Sequence, residues 1–104
     1  MPTESTMMIV ECIRAIPPGR VASYGSIAAM SGNPSSASGA RQVARILHSM
    51  ARKHNLPWWR VVKKDGSIAL GEESGLDLQR QLLEAEGVTF IEGCRIDMEE
   101  FGFY

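Results

Sequence analysis

The sequence predicts an α+β, mostly helical domain: a winged helix-turn-helix with a small β hairpin. Three observations predict it. A short apolar segment at 24–30 is followed, after Gly32-Asn33-Pro34, by a longer one at 38–52 whose apolar and basic residues fall on opposite faces. Two β-like runs then flank Lys63-Lys64-Asp65-Gly66, and Asp-Gly between such runs is a strong hairpin signal. Finally, 104 residues suffice for one hydrophobic core and are too few for two, so 1–104 is expected to be a single domain.

The elements follow in order. Ile9, Ile13 and Ile16 at helical spacing predict a first helix over about 5–16, with Ser5 or Thr6 as its cap and Pro17-Pro18-Gly19 as its stop. Ser23 is the capping candidate for a second, short helix carrying Tyr24, Ile27, Ala28 and Met30. The third helix runs from about Ser38 to Arg52. At about 100° per residue, Val43, Ile46, Leu47 and Met50 share one face, while Arg41, Arg45, His48 and Arg52 fall within about 60° of one another on the other. Trp59–Val62 and Ser67–Leu70 are the predicted arms of the hairpin. Gly71–Gly75 reads as a loop. Leu76, Leu78, Leu82, Leu83 and Ala85 predict a last helix stopped by Gly87, then a short strand at Val88–Ile91 and a packed tail with Phe101, Phe103 and Tyr104.

Composition excludes several classes of function. No apolar run approaches the ~20 residues of a membrane span, and Glu4 and Glu11 interrupt the place where a signal peptide would lie. Cys12 and Cys94 are far apart and lack metal-ligand spacing, and His48 and His54 have no third ligand nearby, so neither a metal nor another cofactor is expected. A cytoplasmic protein with reduced thiols is the simplest reading.

The net charge of −1 conceals a strong asymmetry: residues 12–64 hold nine Lys and Arg and no acid, whereas residues 65–104 hold ten acids against Arg80 and Arg95. This predicts a basic face that meets a polyanion. The alternative is that the two halves neutralise each other inside the fold.

Pro57-Trp58-Trp59-Arg60-Val61-Val62 resembles the active-site motif of the O6-alkylguanine-DNA alkyltransferases, Pro-Cys-His-Arg-Val, whose cysteine accepts the alkyl group. Further pieces match in order: Pro18-Gly19-Arg20-Val21, Ser23-Tyr24-Gly25-Ser26-Ile27-Ala28, Gly32-Asn33-Pro34, Ala40-Arg41-Gln42-Val43, Leu78-Gln79-Arg80-Gln81 and Glu86-Gly87. Each is weak alone, but their shared order and spacing make the resemblance specific to that family's DNA-binding domain. Trp58 stands at the cysteine and Trp59 at the histidine. Alkyltransferase-like relatives read Pro-Trp-His-Arg, so the second tryptophan departs even from that pattern.

The resemblance implies a non-enzymatic binder of O6-alkylguanine in double-stranded DNA. Such a base must leave the duplex to be examined. By resemblance, Arg41 enters from the minor-groove side and takes the vacated place, with Ser38, Gly39 and Ala40 small enough for close approach and Arg45 beside them. Tyr24 crowds the phosphate next to the target and promotes rotation. Trp58, Trp59, Tyr24, Ser74 and Glu86 form the implied lesion pocket, with the Trp59 N–H donating to Glu86, and Arg60 ties the motif to a neighbouring loop. Indole offers neither a nucleophilic lone pair nor a titration near neutral pH, so no catalytic residue is expected. The resemblance further implies a monomer that flags the lesion for other proteins, those of nucleotide excision repair, on the nucleoid if the host is bacterial. Two other readings compete. A winged-helix transcriptional regulator would place Asn or Gln along its recognition helix, where this chain has only Gln42. A residual alkyltransferase would need a thiol and its base.

Overall fold

The computed structural model describes residues 4–32, 37–68, 76–92 and 95–103. Helix α1 spans Glu4–Arg14 and puts Ile9, Val10 and Ile13 inward. It begins ahead of Ser5 and Thr6, so both lie in its first turn and neither is its cap. The two-residue strand β1 (Ala22–Ser23) leads directly into α2 (Tyr24–Met30). Ser23 caps α2 as predicted, its hydroxyl accepting from the Ser26 N–H at 3.1 Å. Helix α3 (Ala37–Met50) packs chiefly on α2 and buries Val43, Ile46 and Leu47. It ends two residues before Arg52, which lies in the following turn. That turn is closed by Asn55, whose φ of 56° is a left-handed value asparagine tolerates well. Leu56 N–H then reaches back to the Ala51 carbonyl at 2.8 Å.

Trp59 and Arg60 were expected in a strand, but Trp58–Arg60 is a single 3-10 turn after Pro57. Strand β2 (Val61–Val62) follows and pairs in parallel with β1, Ala22 opposite Val61 and Ser23 opposite Val62. Alternation across this short ladder divides the core in two. Ala22 and Val61 face a cluster built from α1, α2 and α3, whereas Val21 and Val62 face a second one with Leu83, Val88 and Ile96.

The 63–66 turn forms as predicted. Gly66 N–H donates to the Lys63 carbonyl at 2.9 Å, and Lys63 N–H to the Ser67 carbonyl at 2.9 Å. Its return arm then bridges Arg95 instead of continuing along β2, and Ala69–Leu70 fall outside the described residues. The small antiparallel hairpin is β3 (Phe90–Glu92) with β4 (Arg95–Ile96), after α4 (Leu76–Ala85). Val88 precedes that strand, buried, with its N–H on the Leu83 carbonyl at 3.1 Å.

Helix α4 is not the last one. A four-residue helix α5 (Met98–Phe101) follows, capped by the Asp97 carboxylate on the Glu99 N–H at 3.0 Å. Phe101 packs on the second cluster, but Phe103 keeps 42% of its surface exposed. What fixes the tail there is backbone: Val21 N–H donates to Phe101 at 2.9 Å and Phe103 N–H to Val21 at 2.8 Å. Tyr104 lies outside the described residues.

Candidate nucleic-acid interface and lesion cleft

The 3-10 turn straddles the two cores. Trp58 packs against the first cluster and Trp59 against the second, so the rings meet edge to face, 89° apart with centroids 6.0 Å apart. Both are half-buried and line an open cleft of ≈ 1020 Å³ together with Tyr24, Leu47, Leu78 and Gln79. That volume is at the upper end of ligand sites, which span about 300–1,000 Å³. His48, Arg52 and Asn55 supply polar groups to the same lining. The lining therefore includes one histidine, His48. The described lining contains no thiol for it to activate.

Tyr24 occupies the first position of α2 and packs against the first core, and this burial raises its phenol pKa, so the hydroxyl stays neutral and able to donate. Glu86, assigned to the pocket by resemblance, does not line the cleft among the described residues. It sits behind the tryptophans and accepts from Trp59 Nε1 at 3.1 Å, Arg60 Nε at 3.0 Å and Gly19 N–H at 3.2 Å, with an ion pair to the Arg60 terminal nitrogen. The implied Trp59–Glu86 contact is therefore present. Burial alone would raise the Glu86 carboxyl, but bonds from Arg60, Gly19 and Trp59, and the Arg60 charge, outweigh it and hold the pKa below its usual value.

Arg60 also donates to the Ile16 carbonyl at 2.8 Å and lies over the Trp59 ring, 5.2 Å from its centroid. It thus ties the motif to the loop after α1, as the resemblance implied, and to Glu86 as well. Sequence reasoning missed the role of Gln79. It is 2% exposed, and its side-chain amide donates to the Trp59 carbonyl at 3.1 Å and the Val61 carbonyl at 3.2 Å. These bonds fix the backbone of the motif against α4. The available signal was a polar residue four positions before Leu83 on the buried face. Leu78, one of the apolar residues that predict this helix, is 53% exposed and borders the cleft.

The basic stripe emerges on α3 as read. Arg41, Arg45, His48 and, in the turn beyond, Arg52 are all exposed. Gly39 is buried and Ala40 half-buried, and the Ser38 side chain and all of Ser74 lie outside the described residues. Cys12 is half-buried against the first core, and Cys94 lies outside the described residues.

Among the described residues the two halves are largely unpaired with each other. Arg14 pairs with Glu11 within its own helix, and Arg20 donates to the Glu100 carbonyl. Of the basic residues in 12–64, only Arg60 pairs with a described acid from 65–104, while Arg41, Arg45, Arg52, Lys53, Lys63 and Lys64 are exposed and form no ion pair with a described residue.

The family of the 6-O-methylguanine DNA methyltransferase DNA-binding domain matches residues 4–88. A Vibrio parahaemolyticus protein named DNA base-flipping protein is 38% identical over 95 residues, covering 91% of this chain and 91% of the relative. Alkyltransferase-like protein 1 of Schizosaccharomyces pombe is 36% identical over 81 residues, covering 77% of this chain and 72% of that protein. A crystal structure of the S. pombe protein with damaged DNA containing O6-carboxymethylguanine superposes with a TM-score of 0.82 at 28% identity, over 97% of this chain and 95% of that one. The chain belongs to the 6-O-methylguanine DNA methyltransferase DNA-binding-domain family and is an alkyltransferase-like member of it.

Proposed function

We propose that this protein recognises O6-alkylguanine in double-stranded DNA by rotating the nucleotide out of the helix and into the cleft, without transferring the alkyl group. The observation that supports this best is the cleft itself: an aromatic wall of Trp58, Trp59 and Tyr24 with Arg52 in its lining, beside a helix whose Arg41 and Arg45 are exposed. An apolar, aromatic face suits a purine and its alkyl substituent. The adjacent cations suit the phosphates that flank it.

Arg41 lies seven residues, about 10 Å along the helix axis, from His48 at the cleft. In this reading its guanidinium enters through the minor groove and stacks where the base has left, and Arg45 contacts the backbone beside it. Tyr24 narrows the passage on the other side and offers its neutral hydroxyl to the phosphate. Trp58 stands where the family's acceptor cysteine would, and an indole cannot take up an alkyl group. The bound lesion is then marked for other proteins, and nucleotide excision repair is the pathway the resemblance implies. The protein acts as a monomer in the cytoplasm, on the nucleoid in a bacterial host.

Binding measurements on one duplex, with and without a single O6-methylguanine, test these roles together. Trp58→Ala is expected to weaken lesion binding by ~1–3 kcal/mol, the usual worth of a base–aromatic contact, and to leave undamaged-DNA binding nearly unchanged. Arg41→Ala should likewise lose more on the lesion duplex, because the extrahelical state then leaves its gap unfilled. Equal losses on both duplexes would reduce Arg41 to a phosphate contact. A Trp58→Ala protein that no longer melts cooperatively would make Trp58 a core residue and send the pocket elsewhere.

A further inference from the structure

Besides its aromatic wall, the cleft is lined by one face of α3 and of the turn that continues it. Ala44, Leu47, His48, Ala51, Arg52 and Asn55 supply that face, at the helical spacing of three and four residues. The Ala51 N–H on the Leu47 carbonyl at 3.0 Å and the His54 N–H on the Met50 carbonyl at 2.9 Å carry the spacing past the end of the helix. The turn is also held from outside, by Arg14 donating to the His54 carbonyl at 3.0 Å.

Arg52 differs from the rest of that face. It is the one Lys or Arg among the described lining residues, and no Asp or Glu stands among them to neutralise it. Its side chain is exposed and forms no ion pair with a described residue. Arg41 and Arg45 lie earlier on α3, outside the described lining. His48, one turn before Arg52, adds an N–H donor to the same side. The cleft thus joins an apolar, aromatic surface to a cation without a described counter-charge. A ligand that satisfies both is apolar where it meets the rings and anionic at its tip. At ≈ 1020 Å³ the cleft matches the upper end of ligand sites, so room remains beyond a purine and a methyl group.

We propose that Arg52 makes the cleft selective for O6 substituents that end in an anion, a carboxylate on a short alkyl chain, over neutral substituents of the same size. The planar guanidinium presents paired N–H donors that match both oxygens of a carboxylate. A seated lesion displaces water from the cleft, which strengthens that pair. This selectivity rests on the reading of the cleft as the lesion pocket, and it adds a class of lesion and the residue that chooses it. A phosphate of the DNA backbone offers Arg52 the same anionic chemistry, and the test separates the two.

The test compares four duplexes that differ at one base: guanine, O6-methylguanine, O6-carboxymethylguanine and its neutral amide, O6-carbamoylmethylguanine. The wild type is expected to hold the carboxymethyl duplex roughly tenfold more tightly than the amide duplex, the size of one charge-assisted hydrogen bond. In Arg52→Gln that ratio should fall to near one, with the thermal melt unchanged because the side chain is exposed. Lys53→Gln removes a neighbouring exposed cation that is absent from the described lining. It should keep the wild-type ratio, whatever it loses in overall affinity. A wild type that holds the carboxymethyl and amide duplexes equally would overturn the proposal. So would an Arg52→Gln protein that weakens on all four duplexes alike, which makes Arg52 a phosphate contact. A ratio that falls as far in Lys53→Gln would overturn it too, as a general effect of charge. Failure of the lesion reading would appear separately, as a wild type that binds the guanine and O6-methylguanine duplexes equally.

Discussion

Glu86→Ala is expected to destabilise the fold by about 2–4 kcal/mol, between the values for exposed and fully buried ion pairs because both side chains keep an edge on solvent. The reason is convergence. One carboxylate receives Arg60, the Trp59 indole N–H and the Gly19 N–H, and Arg60 in turn holds the Ile16 carbonyl. Removing it leaves a guanidinium and an indole unpaired behind the cleft, so the loss should appear in the denaturant midpoint and in weaker lesion binding. Glu86→Gln keeps the shape and should lose less. The carboxyl's lowered folded pKa also sets a pH dependence. An ionised Glu86 stabilises the fold at neutral pH, and this contribution declines as pH falls below the ordinary value of 4.5 and through the lower folded one. Acid titration of stability should therefore be shallower in Glu86→Gln than in the wild type. An identical profile would mean that Glu86 is not the titrating anchor.

Gly66→Ala should be comparably severe, about 3 kcal/mol or more. Its φ of 89° is one that side chains rarely adopt, and an added Cβ would meet the Ile96 carbonyl oxygen at 2.0 Å. That neighbour is backbone, so it cannot swing aside without breaking the Ile96–Gly66 hydrogen bond. Chemical denaturation checks this, and a midpoint unchanged from wild type would contradict the described seating of the turn on β4.

The parts of this fold that were legible in the sequence are those decided locally. Ser23 announces α2 because a hydroxyl just before an apolar helix start has an N–H within reach, and that bond forms. The two faces of α3 follow from spacing alone, and Val43, Ile46 and Leu47 are buried where Arg41 and Arg45 are exposed. Asp65-Gly66 marked its turn for the same reason. What was not legible depends on partners far along the chain. Strands of two residues have no period to read, so the pairing of Ala22–Ser23 with Val61–Val62 left no signal, and Trp59-Arg60 was placed in a strand. Gln79 looks like a surface residue until two carbonyls from the tryptophan turn arrive above it. The pocket was legible only through the resemblance. That route supplied Tyr24, Trp58 and Trp59 and the Trp59–Glu86 bond, but it also drew Glu86 into a cleft that it supports from behind.

Selective binding without alkyl transfer has a direct test. The most direct measurement incubates the protein with two duplexes differing by one O6-methylguanine, its methyl group labelled, and follows both affinity and the fate of the label. A lesion binder holds the modified duplex more tightly and leaves all the label on DNA after the complex is dissociated. Equal affinity for the two duplexes, or stoichiometric label on the protein, would contradict that reading.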